Sequence, residues 1–366
     1  MSDKETSGGA GLLAWVRGHR PLAVALAAAL ACAVAWRALA PGPSPAELAE
    51  GRASAAALAG RVSADVHDVV AIRPDGTVFV SSRDGVPAEV SGWDDVTQVA
   101  TGGHRAFVAL RSDGTVVSAG RWWDFAERQD DPTSSWTDVA SIATCSGTTY
   151  GVRSDGTVVS AGKLSSENGG HAGFWSGVSS VVTSAGWGDS FVLAVTSDGR
   201  LLEASDPSSP ESQFSAAAAS AAPVASAAIS EDAVVAVSES GTVWHYSFGD
   251  GDWMAPLDSV TGAVQAAAGE RQFAVLRADG TVVALSSDGA TYDVSGWRGV
   301  VRVACGYDSV YGLTEGGDVL DCTAGGRSHT RRRRCSAVYA NGRFSPLTLG
   351  EDGTLVWDDG DERVQL

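Results

Sequence analysis

The chain has 366 residues, of which 44% are hydrophobic and 19% charged, so it has enough apolar material for a packed core and is not broadly disordered. Its 26 basic and 44 acidic residues give a net charge of −18. Phosphate binding depends on Lys and Arg, so a chain this acidic repels nucleic acid and no nucleic-acid partner is expected. The 44 glycines favour a β-rich fold with many tight turns.

An alanine-rich apolar run extends from Leu22 to Ala40 near the start of the chain. As a helix it would reach about 28 Å, which nearly spans a bilayer. Arg17 and Arg20 precede the run, and the positive-inside bias would keep that end in the cytoplasm. The pattern predicts a cytoplasmic tail over residues 1–20 and a transmembrane signal anchor over residues 21–40. The remainder is then expected outside the cell membrane of a bacterial-type cell, as a single-pass protein.

Three alternatives to an uncleaved anchor stay open. Ala38-Leu39-Ala40 resembles a signal-peptidase site, although Pro41 follows directly, and Cys32 lies in a weak lipoprotein box. A buried or amphipathic cytosolic helix is the third alternative. Residues 41–60 are interpreted as a linker, and residues 61–366 as the main folded domain.

Internal repeats dominate that domain. Arg111–Gly120 and Arg153–Gly162 are identical ten-residue segments that contain Asp-Gly-Thr. Related turns recur along the chain, with their glycines at Gly76, Gly114, Gly156, Gly199, Gly241, Gly280, Gly317 and Gly353. Apolar runs flank each turn, which predicts a strand-turn-strand hairpin with a type I′ turn.

A second repeated element, W-x-x-V, precedes four of these hairpins, at Trp93/Val96, Trp136/Val139, Trp175/Val178 and Trp297/Val300. A unit of about 40 residues therefore holds a short inner strand, a hairpin and a variable outer segment, which is typical of one blade of a β-propeller. We interpret the tryptophans as core between blades rather than as a ligand platform, because they recur at a fixed phase. The alanine-rich stretch Ser215–Ala228 is expected to give at most one short inner strand.

The unit V-x-x-V-A-x-G-x-H…A-L-x-x-D-G-T-V, from Val96 to Val117, resembles the repeat of the regulator of chromosome condensation family. The resemblance covers residues 61–366 and implies a propeller, commonly of seven blades, that serves as a rigid platform for protein contacts. The family's repeat histidine remains in this phase only at His104. The expected fold is all-β, with eight (alternatively seven) four-stranded blades after one transmembrane helix.

No catalytic residue, metal site or cofactor is predicted, because no H-E-x-x-H, G-x-S-x-G, C-x-x-C or Walker motif is present. The alternative is an extracellular propeller hydrolase or lyase with a channel-mouth active site, for which His104 and Glu270 are the candidate acid–base pair. Acidic loops at residues 250–252 and 358–362 are interpreted as solvated turns rather than calcium sites. The preferred function is a membrane-tethered extracellular module for protein binding or scaffolding, monomeric.

One basic segment stands out in this acidic chain. Cys322 and Cys335 are predicted to form a disulfide around it, since such bonds persist in exported proteins. The candidate binding residues inside the segment are Arg327, His329, Arg331, Arg332, Arg333 and Arg334. Arginine suits carboxylate or phosphate groups, so the predicted partner is a protein with an acidic face or an anionic cell-surface polymer or lipid headgroup. A solvated loop neutralised by nearby carboxylates is the alternative interpretation.

Overall fold

A computed structural model gives the fold. It describes residues 43–56, 60–65, 68–83, 85–102, 106–120, 131, 133–145, 148–162, 175–184, 192–203, 218, 223–249, 251–340, 346–357 and 362–366. Apart from residues 43 and 44, all of these belong to one compact unit, Pro45–Leu366. Within this part of the chain the helices with described bounds are the α-helix α1 (Pro45–Ala56) and two 3-10 helices, Ala88–Gly92 and Ala255–Ser259, and Ala218 is also α-helical. The rest of its regular structure is β-strand, so the predicted all-β fold is confirmed.

The strands form eight antiparallel sheets, each from one continuous stretch of chain. Sheets 1 to 4 comprise β1 (Val62–Ala64), β2 (Asp68–Ile72), β3 (Val78–Ser82); β4 (Val96–Thr101), β5 (Phe107–Arg111), β6 (Val116–Ala119); β7 (Val139–Cys145), β8 (Thr148–Arg153), β9 (Val158–Gly162); and β10 (Val178–Thr183), β11 (Val192–Thr196), β12 (Leu201–Glu203). Sheets 5 and 6 comprise β13 (Val224–Ile229), β14 (Ala233–Ser238), β15 (Val243–Ser247); and β16 (Ala263–Ala268), β17 (Gln272–Arg277), β18 (Val282–Ser286). Sheets 7 and 8 have four described strands: β19 (Val300–Cys305), β20 (Ser309–Thr314), β21 (Val319–Thr323), β22 (His329–Arg332); and β23 (Cys335–Tyr339), β24 (Leu347–Gly350), β25 (Thr354–Trp357), β26 (Glu362–Gln365).

The repeated Asp-Gly-Thr sequence, or a variant of it at Gly199, Gly241 and Gly317, forms the hairpin turn of each sheet, but not with the predicted type I′ geometry. The eight turn glycines have φ between +73° and +82°, whereas none of the residues that precede them is among the described residues of positive φ. In sheet 2, Arg111 N–H donates to Thr115 O and Gly114 N–H to Arg111 O, which is a three-residue loop with a left-handed glycine. Asp113 Oδ1 accepts bonds from Thr115 N–H at 2.9 Å and from its hydroxyl at 2.6 Å, so the side chain holds this turn and explains the motif.

Each turn also joins its sheet to the next part of the chain. The carbonyl of every turn glycine accepts a backbone hydrogen bond, and in sheets 1 to 7 the donor is the first residue of the next inner strand, as in Val139 N–H to Gly114 O at 3.0 Å. A Cβ on Gly114 would lie 3.3 Å from the Asp138 backbone. Left-handed φ and this close approach together favour glycine at the turn.

Side chains pack between consecutive sheets in eight apolar clusters. The W-x-x-V tryptophans are 3–9% exposed and lie in these clusters, so their predicted place between sheets is confirmed. The eighth cluster joins the last sheet to the first, through residues such as Val62, Ala71, Tyr339 and Leu355. Small antiparallel sheets that pack in closed cyclic order define a β-propeller.

The predicted location, a single-pass protein of the cell membrane with its propeller outside, is wrong. Among the residues that the structure describes, no helix combines the length and apolar character needed to cross a membrane. The prediction depended on residues 21–40, which lie outside the described residues, as do residues 1–20 and Cys32.

The stretch interpreted as a linker, residues 41–60, contains helix α1. Its Leu48 is 4% exposed and belongs to the apolar cluster between sheets 6 and 7. The alanine-rich stretch Ser215–Ala228 supplies most of one inner strand, β13, and several of its other residues lie outside the described part.

Candidate functional site

The basic segment lies at the outer edge of sheet 7. Residues 329–332 form β22, which pairs with β21 on one side. No acidic residue occurs from Thr323 to Arg334, while five arginines do. Charged side chains on an edge strand discourage pairing with other strands, so part of this pattern serves the fold.

A buried carboxylate on β21 anchors the strand. Asp321 is fully buried, and its Oδ2 accepts a bond from Arg331 Nη1 at 2.6 Å, with His329 Nε2 4.0 Å away. Burial raises the pKa of Asp321, and the guanidinium of Arg331 opposes that rise. Arg331 lies at an irregularity of the ladder, between the pairs Leu320–Thr330 and Val319–Arg332. Arg331 therefore attaches β22 to its sheet.

The next three arginines take the place of the W-x-x element before sheet 8. Cys335 stands as far before Gly353 as Val96 stands before Gly114, so Arg332 occupies the tryptophan position. Arg334 has φ +57°, like Asp95 and Asp138 at the same position of sheets 2 and 3. This correspondence was readable from the spacing, but the change of residue type obscured it.

Four arginines of the segment have no ion-pair partner within the described part of the chain: Arg327, Arg332, Arg333 and Arg334. Arg327 and Arg333 are exposed, and Arg332 is half-buried. Arg334 helps to lower the pKa of Asp352, although the bonds from Thr354 are the larger cause. The structure thus separates Arg331, which points inward to Asp321, from the remaining predicted binding residues, among which His329 has a 57%-exposed side chain.

The predicted disulfide is not formed, and both thiols are free. Cys322 lies on β21 in the cluster between sheets 6 and 7, whereas Cys335 begins β23 and packs between sheets 7 and 8. Sheet 7 therefore separates the two side chains. Burial raises the pKa of both thiols, which makes them inert core residues.

The inner strands of the eight sheets are nearly free of charge. Arg302 is the one ionisable Asp, Glu, Lys, Arg or His residue in these described strands, which are β1, β4, β7, β10, β13, β16, β19 and β23. Its Nε donates to Val338 O at 3.1 Å, and its guanidinium lies 5.2 Å from the ring centroid of Tyr339. This arginine therefore joins the inner strands of sheets 7 and 8 rather than creating a charged channel.

The candidate acid–base pair is not assembled by the described residues. His104 lies outside them, while Glu270 lies between β16 and β17. Burial raises the pKa of Glu270, and the negative charges of Glu231 and Asp232 add to the rise. The described part holds no group of three or more potential metal ligands. Of the two acidic loops, Asp250 and residues 358–361 lie outside it, whereas Gly251, Asp252 and Glu362 are described.

Comparisons with known proteins give likenesses to solved structures alone. No protein-family model and no curated protein matches the chain. Among solved structures, it is similar to the CRINKLY WD40 ectodomain of the receptor kinase ACR4 from Arabidopsis thaliana, with TM-score 0.49, 9% identity and coverage of 82% of this chain and 96% of that chain. It is also similar to the ectodomain of the receptor kinase CR4 from Physcomitrella patens (TM-score 0.48, 11% identity, 70% of both chains). A further likeness is to Prp20p from Saccharomyces cerevisiae (TM-score 0.38, 12% identity, 71% of this chain and 70% of that chain). At these values we draw no functional conclusion from them.

Proposed function

We propose that the protein is a non-catalytic binding module, built as one eight-bladed propeller over residues 61–366. Eight sheets, and eight apolar clusters that include one between the last sheet and the first, support the count. The family that the repeat resembles commonly has seven blades, so a structure determined by cryo-electron microscopy or crystallography with seven radial sheets would refute the number and leave the fold class intact.

The observation that carries the binding function is the solvated positive charge on one blade edge. Arg332 ends β22 and Arg327 and Arg333 lie close to it in sequence, while the attachment of this strand is already provided by Arg331 and Asp321. The charge of these three arginines is therefore not neutralised by an ion pair within the described part of the chain. Planar guanidinium groups recognise carboxylates bidentately. The proposed partner is a protein with an acidic face.

The nearly uncharged inner strands favour this function over a hydrolase or lyase with its site in the channel. Acid–base catalysis needs at least two ionisable groups that converge on one reacting atom. Arg302 supplies one cation to the inner strands, and its described contacts are to Val338 and Tyr339.

The test uses a fluorescent oligo-glutamate peptide as an acidic probe and follows its anisotropy at low and high salt. The double variant Arg332→Ser/Arg333→Ser should lose most of the salt-sensitive binding and keep its unfolding temperature. Arg271→Ser/Arg298→Ser is the matched control, because it removes the same charge elsewhere and should leave binding unchanged. Equal losses in both variants, or none in the first, would refute the basic edge as the contact. Stronger binding of inorganic polyphosphate than of the peptide would refute the protein partner.

A further inference from the structure

Helix α1 packs against a specific site on the face of the propeller that carries the hairpin turns. Leu48 is buried at 4% exposure, and a Cβ added to Gly51 would lie 2.8 Å from Cγ1 of Val264. Arg52 Nη1 donates to Glu239 O at 3.1 Å. A Cβ on the turn glycine Gly241 would lie 3.0 Å from Leu48 Cδ2. The helix therefore lies against the start of sheet 6 and the turn of sheet 5.

The sequence of sheet 6 differs from that of most other sheets at the residue that contacts the helix. Seven inner strands have an irregularity after their first residue, and the extra residue in sheet 6 is Val264. Val264 is 3% exposed and apolar. At the corresponding position of five other sheets the residue is small or polar and exposed: Thr97, Ala140, Ser179, Ala225 and Ser336. In sheet 7 it is Val301, which is half-buried against the cluster between sheets 7 and 8. Because a valine at this position would otherwise face water, its burial under α1 indicates that this sheet is adapted to the helix.

The chain then reaches the opposite side of the ring within nine residues. Gly60 O accepts a bond from Val99 N–H at 2.8 Å, and a Cβ on Gly60 would lie 2.5 Å from Cγ of Gln98. These residues belong to β4 in sheet 2. In a cyclic order of eight, sheets 2 and 6 face each other across the centre, so Gly51 and Gly60 lie on opposite sides of the turn face.

We propose that α1 is a strap across the turn-side mouth of the propeller channel, held at sheet 6 by Leu48 and Gly51. A ligand or partner segment that enters the channel then enters from the opposite face, where the loops carrying Glu231, Glu270 and the 46%-exposed Tyr307 lie. The strap is releasable, because a 12-residue helix is marginal in water alone and depends on its contacts. Release uncovers both the mouth and Val264.

Disulfide trapping tests the position of the strap in the full chain. A Cβ on Gly51 would lie 3.2 Å from Cβ of Val264, close to the roughly 3.5–4.5 Å between the Cβ atoms of a disulfide. Gly51→Cys/Val264→Cys should cross-link under mild oxidation, as shown by peptide mapping. Gly51→Cys/Thr97→Cys places the second thiol at the equivalent position of sheet 2 and should not. Absence of the first bond, or equal yields for both pairs, would overturn the proposal.

Thiol labelling tests release independently of the acidic probe. The single variant Val264→Cys should resist maleimide, whereas Val264→Cys with Leu48→Asp should label at the rate of the exposed Thr97→Cys variant. Ala49→Asp adds the same charge at the neighbouring exposed residue and should keep Val264→Cys protected. Equal labelling with Leu48→Asp and Ala49→Asp would contradict the strap. Probe binding at the basic edge is expected to be unchanged in all these variants, so the two proposals fail separately.

Discussion

Replacing Gln98 or Gln265 by Met should destabilise the propeller by about 2–6 kcal/mol per substitution, because each glutamine bridges two neighbouring inner strands. Gln98 Nε2 donates to Ile142 O at 2.8 Å, and Ile142 N–H donates back to Oε1 at 3.0 Å. Gln265 makes the same pair of bonds with Val303, at 3.1 and 2.9 Å. These bridges join sheet 2 to sheet 3 and sheet 6 to sheet 7.

The magnitude follows from the burial of the partner residues. Ile142 is 5% exposed and Val303 is 1% exposed, so their backbone groups would be left unpaired away from water. An unsatisfied buried donor or acceptor costs about 1–3 kcal/mol, and each variant creates one of both. Methionine is unbranched and close to glutamine in volume, so it adds little cavity cost.

Urea unfolding followed by tryptophan fluorescence measures the change in free energy of unfolding. Ser180→Ala is the control, because Ser180 holds the corresponding position of sheet 4 and its hydroxyl makes no hydrogen bond within the described part. The variant should stay within about 0.5 kcal/mol of the parent. The double variant Gln98→Met/Gln265→Met should show nearly additive losses, since the two bridges share no partner. Values for both single variants that match Ser180→Ala would refute the role of the bridges.

Three further outcomes are expected. Gly151→Ala should cost about 1–3 kcal/mol by crowding Trp136, whose Cζ3 would lie 2.9 Å from the new Cβ, while Gly296→Ala, with no atom within 4 Å, should be nearly neutral by the same urea titration. The hydrogen bonds donated by the side chain and backbone of Thr115 hold the pKa of Asp113 below its usual value. The stability that ionised Asp113 contributes is therefore present above the unfolded pKa of about 3.9 and is lost as pH falls through the folded pKa. Asp113→Asn should flatten the acid limb of a curve of unfolding free energy against pH. Arg334→Gly should raise stability by about 1 kcal/mol by relieving a left-handed φ of +57°, and an unchanged or lower unfolding temperature would argue against that strain.

The repeat made most of the fold predictable. The turn glycines, the buried tryptophans and the inner strands follow from local sequence that recurs with little change. The structure of each unit could therefore be predicted from its own sequence. The turn type was missed because Asp113 has two roles: it is tolerated in left-handed turns, but here its carboxylate caps Thr115 and leaves only Gly114 left-handed. The helix at residues 45–56 was not predicted from the sequence, because its main buried apolar side chain is a single leucine, Leu48. That side chain packs in the cluster of Val264, which lies more than 200 residues away in sequence.

The candidate site was half predictable. Charge density alone found the basic segment, but it could not separate Arg331 from Arg333, because that depends on Asp321 being buried in the adjacent strand. Spacing suggested a disulfide between Cys322 and Cys335, yet it carries no information on which side of sheet 7 each thiol faces. The strand register decides both questions, and register is set by the whole blade.

The junction between the first and last sheets differs in kind from a closure made by a shared strand. In the described part, sheet 1 is built from residues 62–82 and sheet 8 from residues 335–365, with no strand exchanged between them. The seam is thus held by side-chain packing, such as Phe79 against Trp357 at 5.9 Å between ring centroids, rather than by a backbone ladder. A ring made this way is an assembly of self-contained modules. Gaining or losing one module would change its circumference without cutting any hydrogen-bonded sheet, so a family of such chains can vary its blade number by duplication.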